Sequence, residues 1–152
     1  MYKLRLVLIP FLLALLFINN TAQSASTLVD MQGNKIPFNS LQGKWVMINY
    51  WASWCQPCLD EIRALNKFYA QHHNEVALFA VNFDALSVEE QIKLTQYYGI
   101  KYPGLQENPA SELQLGDIRG VPATFVFSPE GALSQTLYGP QTLASLRSAI
   151  KK

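Results

Sequence analysis

The spacing of hydrophobic and polar positions changes several times along the chain, and each change marks the end of a predicted element. Residues 44–51 (KWVMINYW) and 75–83 (EVALFAVNF) are nearly continuous apolar runs, which is typical of strands covered on both faces. After Pro57 the apolar side chains recur every three or four positions, as on one face of a helix. The pattern predicts, in chain order, a hairpin over 27–38, a strand over 44–51, a helix from Pro57 to about His72, a strand over 75–83, a helix from Ser87 to about Tyr98, strands over 124–127 and 132–138, and a helix over 142–150.

One stretch follows neither period. Residues 103–116 are expected to be irregular, with at most one short helix that begins at Ser111. The remaining order is a hairpin, then a βαβ unit, then a second β-hairpin and a final helix. This order predicts an α/β fold with a mixed central β-sheet, flanked by helices on both faces and preceded by an N-terminal β-hairpin.

The first 25 residues have a pattern of their own. Lys3 and Arg5 precede an apolar run over 6–18, and small residues follow at 22–25. A basic start, an apolar stretch of about 7–15 residues and a small-residue end are typical of a secretory signal. We therefore expect residues 1–25 to be a signal peptide cleaved near 22–25, and residues 26–152 to form one domain. An uncleaved N-terminal anchor is the alternative, although the apolar run is shorter than the ~20 residues that span a bilayer.

Composition and charge exclude several classes of function. The chain has 152 residues, of which 49% are hydrophobic and 15% charged, and its formal net charge is +1. The apolar fraction is too high for a disordered or low-complexity chain. A charge near zero without a basic run argues against a nucleic-acid partner. The two cysteines are too few for a disulfide-rich scaffold or a closed zinc site.

Both cysteines lie where a predicted strand meets a predicted helix. At the start of a helix, unpaired N–H groups and the helix dipole stabilise a thiolate at Cys55. Cys58 follows one turn later, close enough to attack a mixed disulfide formed at Cys55, and Pro57 suits a first helical turn. Trp51 and Trp54 are expected to line the site and to leave Cys55 accessible and Cys58 covered. The arrangement predicts redox chemistry, because a structural disulfide closing so small a loop would constrain the unfolded chain very little.

A metal site is the other reading of the two cysteines. It would need more ligands, and the sequence has no second cysteine pair. The two histidines, His72 and His73, fall at the far end of the same predicted helix, about 22 Å away by helix rise. We therefore expect surface histidines, and a site that works without a metal or a dissociable organic cofactor.

Two motifs together carry a family resemblance. Residues 51–58 (WASWCQPC) and the later residues 120–124 (GVPAT) resemble the thioredoxin superfamily, and most of all its periplasmic TlpA/ResA/DsbE branch. The resemblance extends over about residues 27–150 and implies a thioredoxin-like fold. From the residues alone, Pro122 could equally be a trans proline that opens a strand.

The resemblance implies roles for the residues of these motifs. Cys55 and Cys58 would form a redox-active disulfide, and the bond before Pro122 would be cis. Val121 would offer its backbone groups to an extended substrate, while Pro122 would keep metal ions off the cysteines. The substrate-binding surface implied in this way comprises Trp54, Gln56, Pro57, Val121 and Pro122.

The resemblance also bears on proton transfer. Cytoplasmic thioredoxins carry a buried aspartate six residues before the first motif cysteine, and that position here is Asn49, which does not titrate. Members of the ResA-like branch instead place an acidic residue after the next strand, where Asp84 is the nearest match. The resemblance thus implies that Asp84 accepts the proton of Cys58. A solvated loop residue or a helix cap is the alternative for Asp84.

These inferences predict an exported thiol–disulfide oxidoreductase. The Cys55 thiolate attacks a substrate disulfide, and Cys58 resolves the mixed disulfide, which leaves the two cysteines oxidised. By resemblance the protein is a periplasmic protein-disulfide reductase, held at the inner membrane only if its N-terminal segment is uncleaved. Its partners would be protein thiols and disulfides, including those of cytochrome c maturation. A membrane electron carrier of the DsbD/CcdA type would be a further partner.

Other functions stay open. Gln56-Pro57 is neither the Gly-Pro of reducing thioredoxins nor the Pro-His of oxidising DsbA, so an oxidase or isomerase of oxidative folding is an alternative. A thiol peroxidase shares the fold but usually relies on a distant resolving cysteine. A copper- or apocytochrome-binding chaperone without turnover is the third alternative. Copper chaperones of this fold resemble CxxxC with a downstream histidine, and no histidine follows His73 here.

Overall fold

A computed structural model describes residues 26–151 of the chain, so the predicted signal peptide lies outside the described residues. These residues form seven strands, three helices and one 3₁₀ turn. In chain order they are β1 (Thr27–Val29), β2 (Lys35–Pro37), the 3₁₀ turn (Phe38–Leu41), β3 (Trp45–Trp51), α1 (Gln56–His72), β4 (Val76–Asn82), α2 (Val88–Tyr97), β5 (Gly104–Leu105), β6 (Ala123–Phe127), β7 (Leu133–Tyr138) and α3 (Leu143–Ala149). None of the helices in this range is long and apolar enough to cross a bilayer.

Five strands form the central sheet in the order β5-β4-β3-β6-β7. β3 is parallel to β4 and antiparallel to β6, which confirms a mixed sheet. β1 and β2 form the predicted antiparallel hairpin, in which Leu28 lies opposite Ile36. β3 is at the centre of the sheet, with neighbours on both sides, so its carboxyl end is held in place by two ladders of hydrogen bonds.

The two faces of the sheet are covered differently from the prediction. All three helices contribute apolar side chains to one cluster, for example Leu65 of α1, Leu94 of α2 and Leu146 of α3. The opposite cluster draws on the N-terminal hairpin, the 3₁₀ turn and residues 113–121, and no helical residue belongs to it. The expectation of helices on both faces was therefore wrong, because non-helical segments with enough apolar side chains cover the second face.

The segment predicted to be irregular contains the edge strand β5. Two residues are too few to show a strand period, which is why the sequence did not reveal it. The N-terminal hairpin extends this edge, since the Met31 N–H donates to the Gly104 carbonyl at 3.1 Å and the Gln106 N–H donates to the Val29 carbonyl at 2.9 Å. The short helix expected from Ser111 is not formed, and residues 109–114 make turns instead.

The second helix begins and ends as its sequence predicts. The Glu90 N–H donates to Ser87 Oγ at 3.3 Å, and the Ser87 N–H donates to Glu90 Oε2 at 3.0 Å, which is a capping box. Gly99 follows the helix with φ +67°, a left-handed conformation that suits glycine. This helix brings Tyr98 back to the loop that follows β3, where the site lies.

Candidate active site

The two cysteines lie at the junction of β3 and α1, as predicted. Cys55 is the N-cap of α1, and its sulfur accepts a hydrogen bond from the Cys58 N–H at 3.2 Å. The two sulfurs are bonded at 2.09 Å, with the Cα atoms 5.3 Å apart. Pro57 lies in the first turn of the helix, where a missing N–H costs nothing.

Both cysteines are buried, and they differ slightly in exposure. Cys58 is fully buried, whereas Cys55 keeps 5% of its surface exposed. The first turn of α1 contains no acidic residue, so no side chain there offsets the positive end of the helix dipole. Once the disulfide is reduced, the unpaired N–H groups at the start of α1 and the helix dipole favour a thiolate at Cys55 over one at Cys58.

The two tryptophans of the motif take different positions. Trp54 is 69% exposed beside Cys55. Trp51 is buried in the core, where Tyr98 packs edge-on against it with ring centroids 5.8 Å apart. Of the two tryptophans, only Trp54 lies at the surface.

The second motif reaches the same end of the sheet. The Val121–Pro122 bond is cis, as the resemblance implied. Ala123, the next residue, lies opposite Tyr50 in the sheet, one position before the end of β3. Val121 contacts the apolar cluster that contains both cysteines, and the Pro122 carbonyl accepts the Gly139 N–H at 3.0 Å. The two motifs, 62 or more residues apart in sequence, thus share one edge of the sheet.

Asp84 lies in the loop after β4, close to the turn before Cys55. Its Oδ2 accepts the Ser53 N–H at 2.9 Å and the Asn82 side-chain amide at 2.8 Å. The residue is half-buried and caps the backbone of the loop that carries Cys55. The implied role of Asp84 as acceptor of the Cys58 proton stays a prediction.

Sequence reasoning did not single out a second carboxylate, Glu61. It lies three residues after Cys58 on the same face of α1 and is only 2% exposed. Burial raises the pKa of Glu61 to about 7, although hydrogen bonds from the Gln141 N–H and the Asn49 amide lower it in part. One signal in the sequence could have revealed it: Glu61 lies between Leu59 and Ile62, two apolar positions of the predicted helix face.

Glu61 belongs to a buried polar cluster beneath the disulfide. Its Oε1 accepts from Asn49 Nδ2 at 2.8 Å, and its Oε2 accepts from the Gln141 N–H at 2.7 Å. Asn49 also donates to Thr124 Oγ1 at 3.0 Å and accepts from the Tyr102 hydroxyl at 3.0 Å. The cluster therefore connects β3, α1 and β6 in the centre of the molecule, and it holds a buried carboxylate one turn after Cys58.

The histidines lie apart from this site. His73 is exposed, and the ring of His72 stacks on Phe68 while its Nδ1 lies 2.5 Å from Glu75 Oε1. Across residues 26–151, no three His, Cys, Asp or Glu side chains come together in a way that could hold a metal ion.

The fold and the site define a thiol–disulfide oxidoreductase with a thioredoxin-like fold: a dithiol at the start of a helix, next to a cis-proline loop. The chain belongs to the AhpC/TSA family, whose model matches residues 18–136. It is 27% identical over 124 residues to the thiol-disulfide oxidoreductase ResA of Bacillus thuringiensis, a match that covers 81% of this chain and 71% of ResA.

Solved structures share the fold. StoA of Bacillus subtilis superimposes with a TM-score of 0.66 at 21% identity, covering 81% of this chain and 93% of StoA. A secreted disulfide oxidoreductase of Mycobacterium tuberculosis, described as homologous to E. coli DsbE, superimposes with a TM-score of 0.64 at 19% identity. That match covers 81% of this chain and 92% of the mycobacterial protein.

Proposed function

We propose that this protein is an exported protein-disulfide reductase that works through Cys55 and Cys58. The observation that carries the proposal is the asymmetry of the pair: the Cys55 sulfur accepts the Cys58 N–H at the start of α1, and Cys58 is buried behind it. Such an arrangement suits Cys55 for attack and Cys58 for resolution.

The reaction takes two exchanges. In the reduced protein, the Cys55 thiolate attacks one sulfur of a substrate disulfide, and the other substrate sulfur leaves as a thiolate. Cys58 then loses its proton and attacks the Cys55 sulfur, so that the Cys55–Cys58 bond forms and the first substrate sulfur is released. The substrate gains two electrons and the protein loses two.

Proton transfer from Cys58 is the step in which the buried polar cluster takes part. We infer that Glu61 is the acceptor, because it lies on the same helix face as Cys58 and its pKa of about 7 is matched to neutral pH. Asp84 stays as the second candidate, and its hydrogen bond to the Ser53 N–H supports a role in holding the loop before Cys55.

The surface around Cys55 supports a protein as substrate. Trp54, Gln56 and Pro57 are exposed beside it, and Val121 precedes the cis-proline at the same edge of the sheet. We propose that an extended segment of the substrate lies across these residues and Pro122. The disulfide between neighbouring cysteines supports dithiol exchange over the thiol peroxidase alternative.

The cellular role is proposed from the sequence pattern and the relatives. Export is supported by the signal-like residues 1–25 and by the secreted mycobacterial neighbour. We propose periplasmic protein substrates, including those of cytochrome c maturation, and re-reduction by a membrane electron carrier of the DsbD/CcdA type. An oxidase or isomerase of oxidative folding is the alternative, since the same two exchanges also run in reverse.

An insulin-reduction assay tests the activity, and trapping tests the substrates. The reduced protein should catalyse insulin reduction, and Cys55→Ala should abolish it. In the native host, Cys58→Ala should accumulate mixed disulfides on Cys55, and Cys55→Ala, as the matched control, should trap none. Apocytochrome c among the captured proteins would support the proposed role, whereas broad capture of newly exported proteins would indicate oxidative folding. Tight copper uptake without turnover would contradict the proposal.

A further inference from the structure

Asn49 is the centre of the buried polar cluster. Its amide is fully buried and makes three hydrogen bonds: Nδ2 donates to Glu61 Oε1 and to Thr124 Oγ1, and Oδ1 accepts from the Tyr102 hydroxyl. Both hydrogens of the amide nitrogen are donated, and the amide oxygen accepts one hydrogen bond. The direction of each of these bonds therefore depends on which way the amide faces.

This arrangement suits only one protonation state of Glu61. Both groups that face the carboxylate, the Asn49 amide nitrogen and the Gln141 N–H, are donors, and an ionised carboxylate accepts from both. A protonated carboxyl has one O–H, and in the present arrangement that O–H would meet a donor. A buried donor without an acceptor costs about 1–3 kcal/mol in general, so protonation requires a change in the cluster.

The Gln141 donor is part of the backbone and cannot reverse, whereas the Asn49 amide can. Turned by about 180° around its last side-chain bond, the amide places Oδ1 towards Glu61 and Nδ2 towards Tyr102. The Glu61 O–H then donates to Oδ1, and the Thr124 hydroxyl, which is both a donor and an acceptor, donates to Oδ1 as well.

We propose that Asn49 is a positioning residue for the proton transfer at Glu61, and that its amide turns over each time Glu61 gains or loses a proton. The inference rests on the proposed function in one respect, namely that Glu61 exchanges a proton with Cys58 during turnover. An amide serves here because it offers a donor to the carboxylate and an acceptor to the carboxyl. An aspartate at this position would offer an ionised Glu61 no donor unless it kept its own proton.

The two hydroxyl groups around Asn49 distinguish a turning amide from a fixed one. Thr124 has an equivalent bond in both orientations, because its hydroxyl accepts in one and donates in the other. Tyr102 changes roles in the opposite sense: its hydroxyl donates to Oδ1 when Glu61 is ionised and accepts from Nδ2 when the amide turns. Tyr102 stays protonated throughout, since burial, and then the charge of Glu61, hold its pKa well above the ordinary value.

Removing either hydroxyl therefore takes one bond from both states. In Tyr102→Phe the ionised state loses the bond to Oδ1 and the protonated state loses the bond from Nδ2, so the pKa of Glu61 should change by less than about one pH unit. In the matched variant Thr124→Val both states lose one bond, so the pKa of Glu61 should stay where it is. Both substitutions remove a single hydroxyl with little change in shape.

The measurement is an NMR titration of the oxidised protein. The Glu61 carboxyl carbon, assigned by its loss in Glu61→Gln, gives the pKa in wild type, Tyr102→Phe and Thr124→Val. In wild type the Asn49 amide hydrogens should show NOE contacts to Thr124 above the midpoint of the Glu61 titration and to the Tyr102 ring below it, and in Glu61→Gln a single pattern at every pH. Contacts of the Asn49 amide hydrogens that stay the same through the Glu61 titration would overturn the proposal.

Failure of this inference differs from failure of the proposed function. If Glu61→Gln leaves the rate of mixed-disulfide resolution unchanged, Glu61 is not the acceptor, whatever Asn49 does. If Glu61→Gln slows that step but the contacts of the Asn49 amide hydrogens do not change with pH, Glu61 keeps its role and the turning amide is wrong.

Discussion

Two polar clusters each hold one carboxylate, the first on α1 one turn after Cys58 and the second in the loop after β4. Beneath the disulfide, Glu61 is 2% exposed and accepts from two donors, the Asn49 amide and the Gln141 N–H. Beside the loop, Asp84 also accepts from two donors, but it is half-buried and open to water. The two clusters are similar in hydrogen bonding and differ in solvation.

The difference shows what makes a carboxylate suitable for proton transfer. Hydrogen bonds from N–H groups favour the ionised form, and burial favours the neutral form. At Glu61 burial outweighs the hydrogen bonds, and the pKa rises to about 7. A half-exposed carboxylate such as Asp84 keeps water as a partner, so the same bonds serve to fix the loop before Cys55. The following predictions test this assignment of roles.

The largest expected effect is on stability. Because the folded protein binds the Glu61 proton more tightly than the unfolded chain does, its contribution is fully present below about pH 4.5 and is lost as pH rises to about 7. The free energy of unfolding of the oxidised protein should fall by about 3 kcal/mol across that window because of this group. Urea unfolding at a series of pH values measures the slope.

The matched variants are Glu61→Gln and Asp84→Asn. Glu61→Gln should remove that part of the slope, and Asp84→Asn should keep it. If the wild-type slope survives in Glu61→Gln, the buried cluster does not hold the proton and the contrast between the two carboxylates fails.

The next effect is on the rate of the second exchange. A positioned base contributes about 10²–10⁴-fold in general, and we expect Glu61→Gln to slow resolution of a mixed disulfide at pH 7 by about 100-fold. Asp84→Asn should change this rate by less than about 3-fold. Rapid mixing of the reduced protein with a peptide disulfide, followed by acid quench and alkylation, measures the lifetime of the mixed disulfide on Cys55. A large loss in Asp84→Asn with none in Glu61→Gln would make Asp84 the acceptor.

Much of the fold follows from local patterns that act strongly on their own. The apolar runs that became β3 and β4, the helix period after Pro57 and the Ser87 capping box are each complete within about ten residues. The edge strand β5 is different, because its two residues pair with β4 and the Gly104 carbonyl accepts a bond from Met31 of the N-terminal hairpin. Its structure comes from tertiary contacts, which a local pattern does not contain.

The site divides in the same way. Cys55 and Cys58 could be predicted because the strand, the motif and the helix are adjacent in sequence. Glu61 was missed because its significance depends on Asn49 and Gln141, which lie 12 and 80 residues away. The sequence indicated that position 49 carried no titrating group, but it could not show that α1 supplies one to the same buried space.

The smallest expected effect concerns the loop before Cys55. Both bonds of Asp84 go to Oδ2, so Asp84→Asn retains an oxygen for the Ser53 N–H and the Asn82 amide, whereas Asp84→Ala loses both. Since water reaches this residue and replaces part of the loss, Asp84→Ala should lower the free energy of unfolding by about 1 kcal/mol, and Asp84→Asn by less than about 0.5 kcal/mol. Urea unfolding of the two oxidised variants at pH 7 compares them. Equal losses in both would mean that the charge of Asp84, and not its bonds to the loop, is what stabilises the protein, and the parallel between the two clusters would then be limited to geometry.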